Sequence, residues 1–187
     1  MISDLHCYVN SRPDVDWNTC GQAAIATMAD YWGKDPWDLD RVERDPDDDR
    51  WYWDDGAAID AVKADGFDSD VVFGWGSTGD RIKQALKHYG LSASVGYSGF
   101  ASWGWQDRWE SVQRYVAKNR PVPVMLDLGA IGGPSWTAHW AICYRVEDGE
   151  VHLGNCSWNP SPRTDDFLDA WRAWFLPYGF NHCAVFC

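Results

Sequence analysis

The order of helical and strand-like segments is the feature that most restricts the fold of this chain. Helical spacing of apolar residues comes first, whereas residues 122–128, 137–144 and 151–155 are apolar runs typical of strands. Asp148 and Gly149 form a turn signal between the last two runs. Strands joined by so short a turn pair antiparallel, so the sequence predicts an α+β fold with an antiparallel sheet.

The length and periodicity of the chain set its organisation. A chain of 187 residues suits one domain, spanning residues 1–187. The Asp- and Pro-rich stretch 35–50 is interpreted as an irregular insertion. Further helices are predicted at residues 57–64, 81–89, 109–118 and 164–174, and further strands at 71–73, 91–95 and 183–186.

Cys20 stands at the start of the first predicted helix. Apolar residues at helical spacing predict a helix over residues 20–32 with one buried stripe, and Gly33 is its stop signal. Thr19 and Gln22 form the T-x-x-Q pattern of a capping box, so Gln22 is interpreted as a cap. The first turn of a helix favours a thiolate, which is the reactive form of cysteine. Cys20 is therefore a candidate nucleophile, and the alternative is a buried structural thiol.

The charge of the chain restricts its partners. Sixteen basic residues against 28 acidic ones give a net charge of −12, which argues against binding to nucleic acid or anionic membranes and is compatible with a basic peptide partner. The alternative is that the acidity only confers solubility. No apolar stretch is long enough to span a bilayer, and the first residues lack the features of a signal peptide. A cytoplasmic location is expected, with export by a route that reads no such peptide left open.

The cysteines do not predict a metal site. Six cysteines in a chain of this length do not make a disulfide-dense scaffold, and no C-x-x-C pair provides a zinc knuckle. We therefore expect reduced thiols, no metal and no cofactor.

The length of the turn at residues 148–149 decides whether His139 and Asn155 can act together. Side chains alternate along a strand, so His139 and Ala141 share one face. A two-residue turn would set Asn155 opposite Ile142 and away from His139. A three-residue turn would set Asn155 opposite Ala141, on the His139 face. We predict the three-residue turn, because it brings both side chains within reach of each other.

Cys20, His139 and Asn155 then have the residue types of a nucleophile, a general base and an orienting group. The imidazole would take the thiol proton, and the amide would hold the imidazole in the productive tautomer. For His139 alone, a buried structural histidine is the alternative.

These motifs resemble those of the papain-fold cysteine peptidases. The resemblance is carried by Asn-Thr-Cys-Gly-Gln-Ala-Ala at 18–24, the run 120–126, Ala-His-Trp at 138–140 and the strand that ends at Asn155. It covers roughly residues 8–175 and is greatest to peptidases related to the double-glycine leader peptidases of bacteriocin exporters. It implies a papain-like fold in which an N-terminal helix carries the nucleophile and packs on the antiparallel sheet.

The resemblance also implies a role for each site residue. Cys20 resembles the nucleophile, His139 the general base, and Asn155 the orienting residue, where many relatives have Asp. The family's oxyanion glutamine, expected several residues before the cysteine, is not present. By position, Asn10 is the first substitute and Asn18 the second. Loss of one oxyanion donor costs other enzymes about 2.7–4 kcal/mol of transition-state stabilisation, so this departure bears directly on activity.

Tryptophan is unusually abundant, with 14 residues, so many of them must be partly exposed. Trp103 and Trp105 lie in a Gly-containing loop, where rigid aromatic side chains either line a cleft or pack against the protein body. Trp140 directly follows His139. Trp103, Trp105 and Trp140 are therefore candidate substrate-binding residues.

Together these features predict a thiol hydrolase that cleaves a peptide or amide bond through an acyl-enzyme. One alternative is an acyltransferase or transamidase that uses the same triad with an amine acceptor. The other is a peptide-binding module with weakened catalysis, which the missing glutamine favours. The expected partner is a peptide or protein substrate.

Overall fold

The structure is a computed structural model that describes residues 2, 5–8, 18–35, 55–71, 76–98, 104–133, 138–154, 160–172 and 181–187. Its elements confirm the predicted α+β class. The helices are α1 (Cys20–Tyr31), α2 (Asp55–Ala64), α3 (Gly79–His88), α4 (Trp105–Val116) and α5 (Thr164–Trp171), with a 3₁₀ turn at Leu128–Ile131. The strands are β1 (Ser94–Ser98), β2 (Val122–Asp127), β3 (Ala138–Glu147), β4 (Glu150–Gly154) and β5 (Asn181–Phe186).

The five strands form one sheet in the order β1-β5-β2-β3-β4, and neighbouring strands are antiparallel. Alternate residues of β3 face opposite sides of the sheet. Trp140 and Ile142 pack into a core with α1, α2 and α3. Ala141 and Cys143 pack into a second core with α4 and α5. The sheet is therefore covered by helices on both faces, and the site residues on β3 lie between the two layers.

Helix α1 is buried over most of its length, from Cys20 to Ala29. The sequence predicts one buried stripe, but every residue from Cys20 to Ala29 is buried, and α2, α3 and β3 all contact the helix. Its many small side chains permit such close packing on several sides. The helix ends as predicted at Gly33, whose φ of +59° suits glycine. There the Lys34 N–H donates to Ala29 O at 2.8 Å.

The capping-box prediction at the start of α1 is wrong. Thr19 has φ −95° and ψ 16° instead of an extended backbone, and its side chain makes no capping hydrogen bond. Gln22 is fully buried, and its amide Nε2 donates to Phe67 O at 2.9 Å and to Ser77 Oγ at 3.2 Å. The side chain therefore ties α1 to the segment around residues 67–77. The Phe67 carbonyl, which is partly buried, needs a donor, and Gln22 provides it.

The turn between β3 and β4 has two residues, so the predicted three-residue loop is wrong. Glu147 pairs with Glu150, while Asp148 and Gly149 have φ of +51° and +80°. Positive φ at both central residues defines a type I′ turn, whose twist matches that of the strands it joins. The predicted register is restored in another way, because β3 contains one extra residue at Tyr144.

This β-bulge shifts the pairing of β3 with β4 by one residue. Arg145 pairs with His152, but the next pair is Cys143 with Leu153, so Tyr144 has no partner of its own. Ile142 consequently pairs with Gly154. At the pair of Ile142 with Gly154, the last that the structure describes, the register is the same as the one predicted for a three-residue turn. Asn155 itself lies outside the described residues.

The remaining predicted elements that the structure describes agree with it to within four residues at either end. The strand predicted at 91–95 begins only at Ser94, because the Leu91 N–H completes the end of α3 by donating to Leu86 O at 2.9 Å. Most of the strand predicted at 71–73 lies outside the described residues. Among the helices that the structure describes, none is long and apolar enough to cross a membrane.

The type I′ turn gives a direct test of the hairpin geometry. Replacing Gly149 with alanine forces a Cβ into the left-handed region, so the free energy of unfolding should fall by about 1 kcal/mol. Asp148→Asn is the matched control and should change stability by less than about 0.5 kcal/mol, because asparagine tolerates this conformation. Urea denaturation followed by circular dichroism measures both values. Equal losses in the two variants would contradict the turn assignment.

Candidate active site

Cys20 and His139 meet where the start of α1 approaches the start of β3. Cys20 is the first residue of α1, and His139 is the second residue of β3. Both are 7% exposed. Their side chains are hydrogen-bonded to each other, so the structure brings together two residues that are 119 positions apart in the sequence.

The surroundings of Cys20 favour its thiolate. Burial acts to raise the pKa of the thiol, but the hydrogen bond and charge interaction with His139 act in the opposite direction. Backbone hydrogen bonds from Trp140 and Gly21 also lower it. The net result is a Cys20 pKa below the ordinary value of a cysteine. Thiolates are the nucleophilic form of cysteine, so this sulfur is prepared for attack on an electrophile.

The other buried cysteines have the opposite character. Burial raises the pKa of Cys143 to about 12, that of Cys183 to about 12 and that of Cys187 to about 11. These thiols are as buried as that of Cys20, but no histidine is among the groups that act on their pKa values. The contrast shows that pairing with His139, and not burial, distinguishes Cys20.

Trp140 contributes its backbone to the site, while its side chain packs in the core. The Trp140 N–H is hydrogen-bonded to the Cys20 sulfur. The indole is 2% exposed, and its Nε1 donates to Ser77 O at 2.7 Å. The indole is therefore packed and hydrogen-bonded within the protein, and the substrate-binding role of Trp140 stays a prediction. In this position the indole supports the strand beside Cys20.

Two other candidate residues lie within the described part of the chain. Asn18 is half-buried and lies two residues before Cys20. Trp105 begins α4 and is stacked on His182, with ring centroids 5.7 Å apart and an interplanar angle of 17°. The candidates Asn10, Trp103 and Asn155 lie outside the described residues.

Trp105 and His182 line a cavity of about 320 Å³ beside α5. Burial lowers the pKa of His182 to about 4, and the charges of Arg108 and Arg172 act in the same direction. His182 is therefore neutral at neutral pH, while the rim of the cavity is charged. The other residues that line it are Asp165, Leu168, Asp169 and Arg172.

Metal ligands do not cluster in the described residues. These residues contain no group of three or more His, Cys, Asp or Glu side chains that could hold a metal ion. The polar groups identified around Cys20, namely His139 and the N–H groups of Gly21 and Trp140, are suited to proton transfer and anion stabilisation.

Sequence reasoning missed Ser77. This residue lies in a loop without periodicity, and no motif distinguishes it. The structure places it against Gly21, where a Cβ added to the glycine would lie 2.5 Å from both the Cβ and Oγ of Ser77. The glycine directly after a candidate nucleophile was the available signal, since glycine often permits a close approach between backbone segments.

A helix that presents a thiol to a histidine at the start of an antiparallel strand is the arrangement expected for the papain-like class. Two solved structures are similar to this chain over nearly its whole length. One is the peptidase domain of Streptococcus ComA, a bifunctional ABC transporter involved in a quorum-sensing pathway, with a TM-score of 0.54, 13% identity and 97% of each chain covered. The other is a C39-like peptidase from Bacillus anthracis, with a TM-score of 0.59 and 12% identity over 96% of this chain and 93% of that chain.

These comparisons confirm the papain-like fold that the sequence motifs predict, in the form found in C39 peptidase domains. At 12–13% identity the similarity concerns the fold. No protein-family model and no curated protein sequence matches the chain.

The pairing of Cys20 with His139 predicts how the thiol reacts with iodoacetamide. Because its pKa is lowered, Cys20 should be alkylated at pH values below those at which an ordinary thiol, with a pKa of about 8.5, becomes reactive. His139→Ala should move the rate profile to higher pH, since it removes the partner of the thiolate. Peptide mapping by mass spectrometry measures the rate at Cys20.

His152→Ala is the control for this experiment. His152 is a half-buried histidine on β4 that contacts Ser161, with 2.9 Å between its Nδ1 and the serine Oγ. Its loss should leave the Cys20 profile unchanged. A wild-type profile equal to that of His139→Ala would show that the histidine does not activate the thiol.

Proposed function

We propose that this protein is a papain-like cysteine peptidase or amidase, with Cys20 as its nucleophile. The observation that carries the proposal is the hydrogen-bonded pair of Cys20 and His139, with the thiol pKa lowered despite burial. Both similar structures are described as peptidases or peptidase-like, which supports the same activity here.

In the proposed reaction, His139 accepts the thiol proton and the Cys20 thiolate attacks the carbonyl carbon of an amide. A C–S bond forms, and the carbonyl π electrons move to the oxygen, which becomes an oxyanion. The oxyanion then reforms the carbonyl as the C–N bond breaks. The His139 imidazolium gives its proton to the leaving amine, and a thioester on Cys20 remains.

Hydrolysis of the thioester completes the cycle. His139 takes a proton from a water molecule, and the water oxygen attacks the acyl carbon. The C–S bond then breaks to release a carboxylic acid, and the His139 imidazolium returns its proton to the Cys20 sulfur. An amine that replaces this water would give a transamidated product through the same intermediate. Product analysis by mass spectrometry, with and without added amine nucleophiles, separates hydrolysis from acyl transfer.

Asn155 is proposed as the residue that orients His139. The register of β3 and β4 supports this assignment, because Ile142 pairs with Gly154, the residue that precedes Asn155 in the sequence. An amide in that role would fix the tautomer of the imidazole without forming a bond to substrate.

The proposed oxyanion donors are the Cys20 backbone N–H and the side-chain amide of Asn10, with Asn18 as the second choice. Two preorganised donors are the usual composition of such a site. Asn18→Ala should leave acyl-enzyme formation nearly unchanged, whereas Asn10→Ala should reduce it by about 10²-fold or more. Intact-mass kinetics with a peptide electrophile measure both rates. The reverse ranking would assign the role to Asn18.

The proposed substrate is a peptide or protein. A net charge of −12 favours a basic one, since the acidic protein attracts positively charged chains. Salt should therefore weaken substrate binding if the charges of the two partners are complementary.

Loss of Cys20 or His139 should abolish turnover. In the subtilisin triad, removal of the nucleophile or base costs about 2 × 10⁶ in kcat and removal of the third member about 3 × 10⁴, which sets the expected order. Cys20→Ala and His139→Ala should therefore be inactive, whereas Asn155→Ala should retain a measurable remainder. Acylation by a peptide electrophile, followed by intact mass, tests all three variants.

Circular dichroism of each variant is the control. The Cys20 and His139 side chains are both buried, so a loss of activity on their replacement must be distinguished from unfolding. Cys143→Ala provides a matched buried-cysteine variant that should keep full activity. Wild-type acylation of folded Cys20→Ala would assign the nucleophile to another cysteine, with Cys156 the first to examine.

A further inference from the structure

Ser77 contacts both elements that meet at the candidate active site. Its carbonyl accepts from Trp140 Nε1 at 2.7 Å, and its hydroxyl accepts from Gln22 Nε2 at 3.2 Å. Its side chain also lies so close to Gly21 that no Cβ would fit there. One residue outside α1 and the sheet therefore fixes the first turn of α1 and the β3 residue whose N–H contacts the Cys20 sulfur.

An exposed carboxylate fixes Ser77 from the outside. Asp70 accepts from the Thr78 N–H at 2.7 Å and from the Thr78 hydroxyl at 2.6 Å. The backbone N–H groups of Asp70 and Val71 donate to Gly76 O at 3.1 and 3.2 Å. The residues before and after Ser77 are thus both bonded to the same short segment, so Asp70 holds Ser77 on its two sides.

Burial makes this chain of contacts stiff. Ser77 is 4% exposed, Trp140 is 2% exposed and Gln22 is fully buried. Buried side chains that are closely packed and hydrogen-bonded have little freedom to rearrange. A displacement of Ser77 would therefore move Trp140 or open the contact with Gly21.

We infer that Asp70 and Ser77 are positioning residues for the Cys20 nucleophile, acting through the Trp140 indole and the first turn of α1. The inference rests on the proposed function of Cys20. The groups that shift the Cys20 pKa are His139, Trp140 and Gly21, so Asp70 and Ser77 act by holding the Trp140 N–H and the Gly21 N–H in place as donors to the sulfur. Asp70 is exposed and therefore could be replaced without opening a cavity in the core.

Asp70→Ala has two opposite effects on the reactivity of Cys20, one through the lost charge and one through the lost hydrogen bonds. The direction of the change therefore shows which effect dominates. Removal of a negative charge by itself favours the Cys20 thiolate and should raise its reactivity at low pH. Loss of the two bonds to Thr78 loosens Ser77 and should lower that reactivity. We expect positioning to dominate, because Asp70 is exposed to solvent and its charge is screened.

The experiment measures the rate of iodoacetamide alkylation at Cys20 against pH, by peptide mapping of the full chain. Trp140→Phe removes one buried hydrogen bond and Asp70→Ala removes two exposed ones. Each variant should reduce the rate near pH 6 by about two- to tenfold, the range of a typical net hydrogen-bond contribution. Asp70→Asn keeps an oxygen that can accept from the Thr78 N–H, and it should restore part of the rate. Rates at high pH, where the thiol is fully ionised, should change less.

Asp68→Ala is the matched control. Asp68 is an equally exposed aspartate two residues away, and its carboxylate bonds to the N–H of the adjacent Ser69 at 2.7 Å. The Asp68→Ala substitution removes the same charge but leaves the hydrogen bonds to Thr78 intact. The dependence of the Cys20 alkylation rate on pH should therefore be the same as in the wild type. Thermal melts of all variants separate a loss of stability from a change in the pH profile.

The possible outcomes distinguish this inference from the proposed function. Slower alkylation in Asp70→Ala, together with an unchanged Asp68→Ala, supports the positioning role. Identical profiles for Asp70→Ala, Asp68→Ala and wild type overturn the positioning role while leaving the proposed function intact. A wild-type Cys20 that reacts only at the pH of an ordinary thiol overturns the proposed function, and this inference with it.

Discussion

The pairing of a buried thiol with a buried imidazole is the interaction on which the candidate site depends. Burial alone disfavours a thiolate, as the raised pKa values of Cys143, Cys183 and Cys187 show. At Cys20 the hydrogen bond and charge of His139, with two backbone N–H groups, outweigh the same penalty. The fold must therefore hold a helix terminus and a strand in contact, because a small separation would leave the thiol protonated and inert.

Several features of the fold maintain that contact. Helix α1 is enclosed by α2, α3 and the sheet, so it cannot move away from β3 without exposing much of its buried surface. The side chain of Gln22 ties its first turn to Phe67 and Ser77. On the strand side, the Trp140 indole donates to the carbonyl of Ser77. These contacts come from segments far apart in the sequence.

The two similar structures share this architecture at only 12–13% identity. A fold can persist at such divergence because it depends on the burial pattern of a helix and a sheet, which many combinations of apolar residues satisfy. The details around Cys20 are set by particular residues. Here these include Gly21, which leaves room for Ser77, and Trp140, whose indole is hydrogen-bonded to the Ser77 carbonyl.

The sequence by itself determined the element types and the antiparallel sheet, because periodicity and turn residues are local signals. Its Cys and His motifs marked Cys20 and His139 as candidates, but the fold brings the two residues together. The sequence predicted the wrong turn at Asp148, since a bulge four residues before that turn produced the same register. Only the tertiary structure decided that Gln22 contacts Ser77 instead of capping α1, and that the Trp140 indole is buried. Those outcomes depend on which distant backbone groups need a partner, and no local pattern in the chain records that requirement.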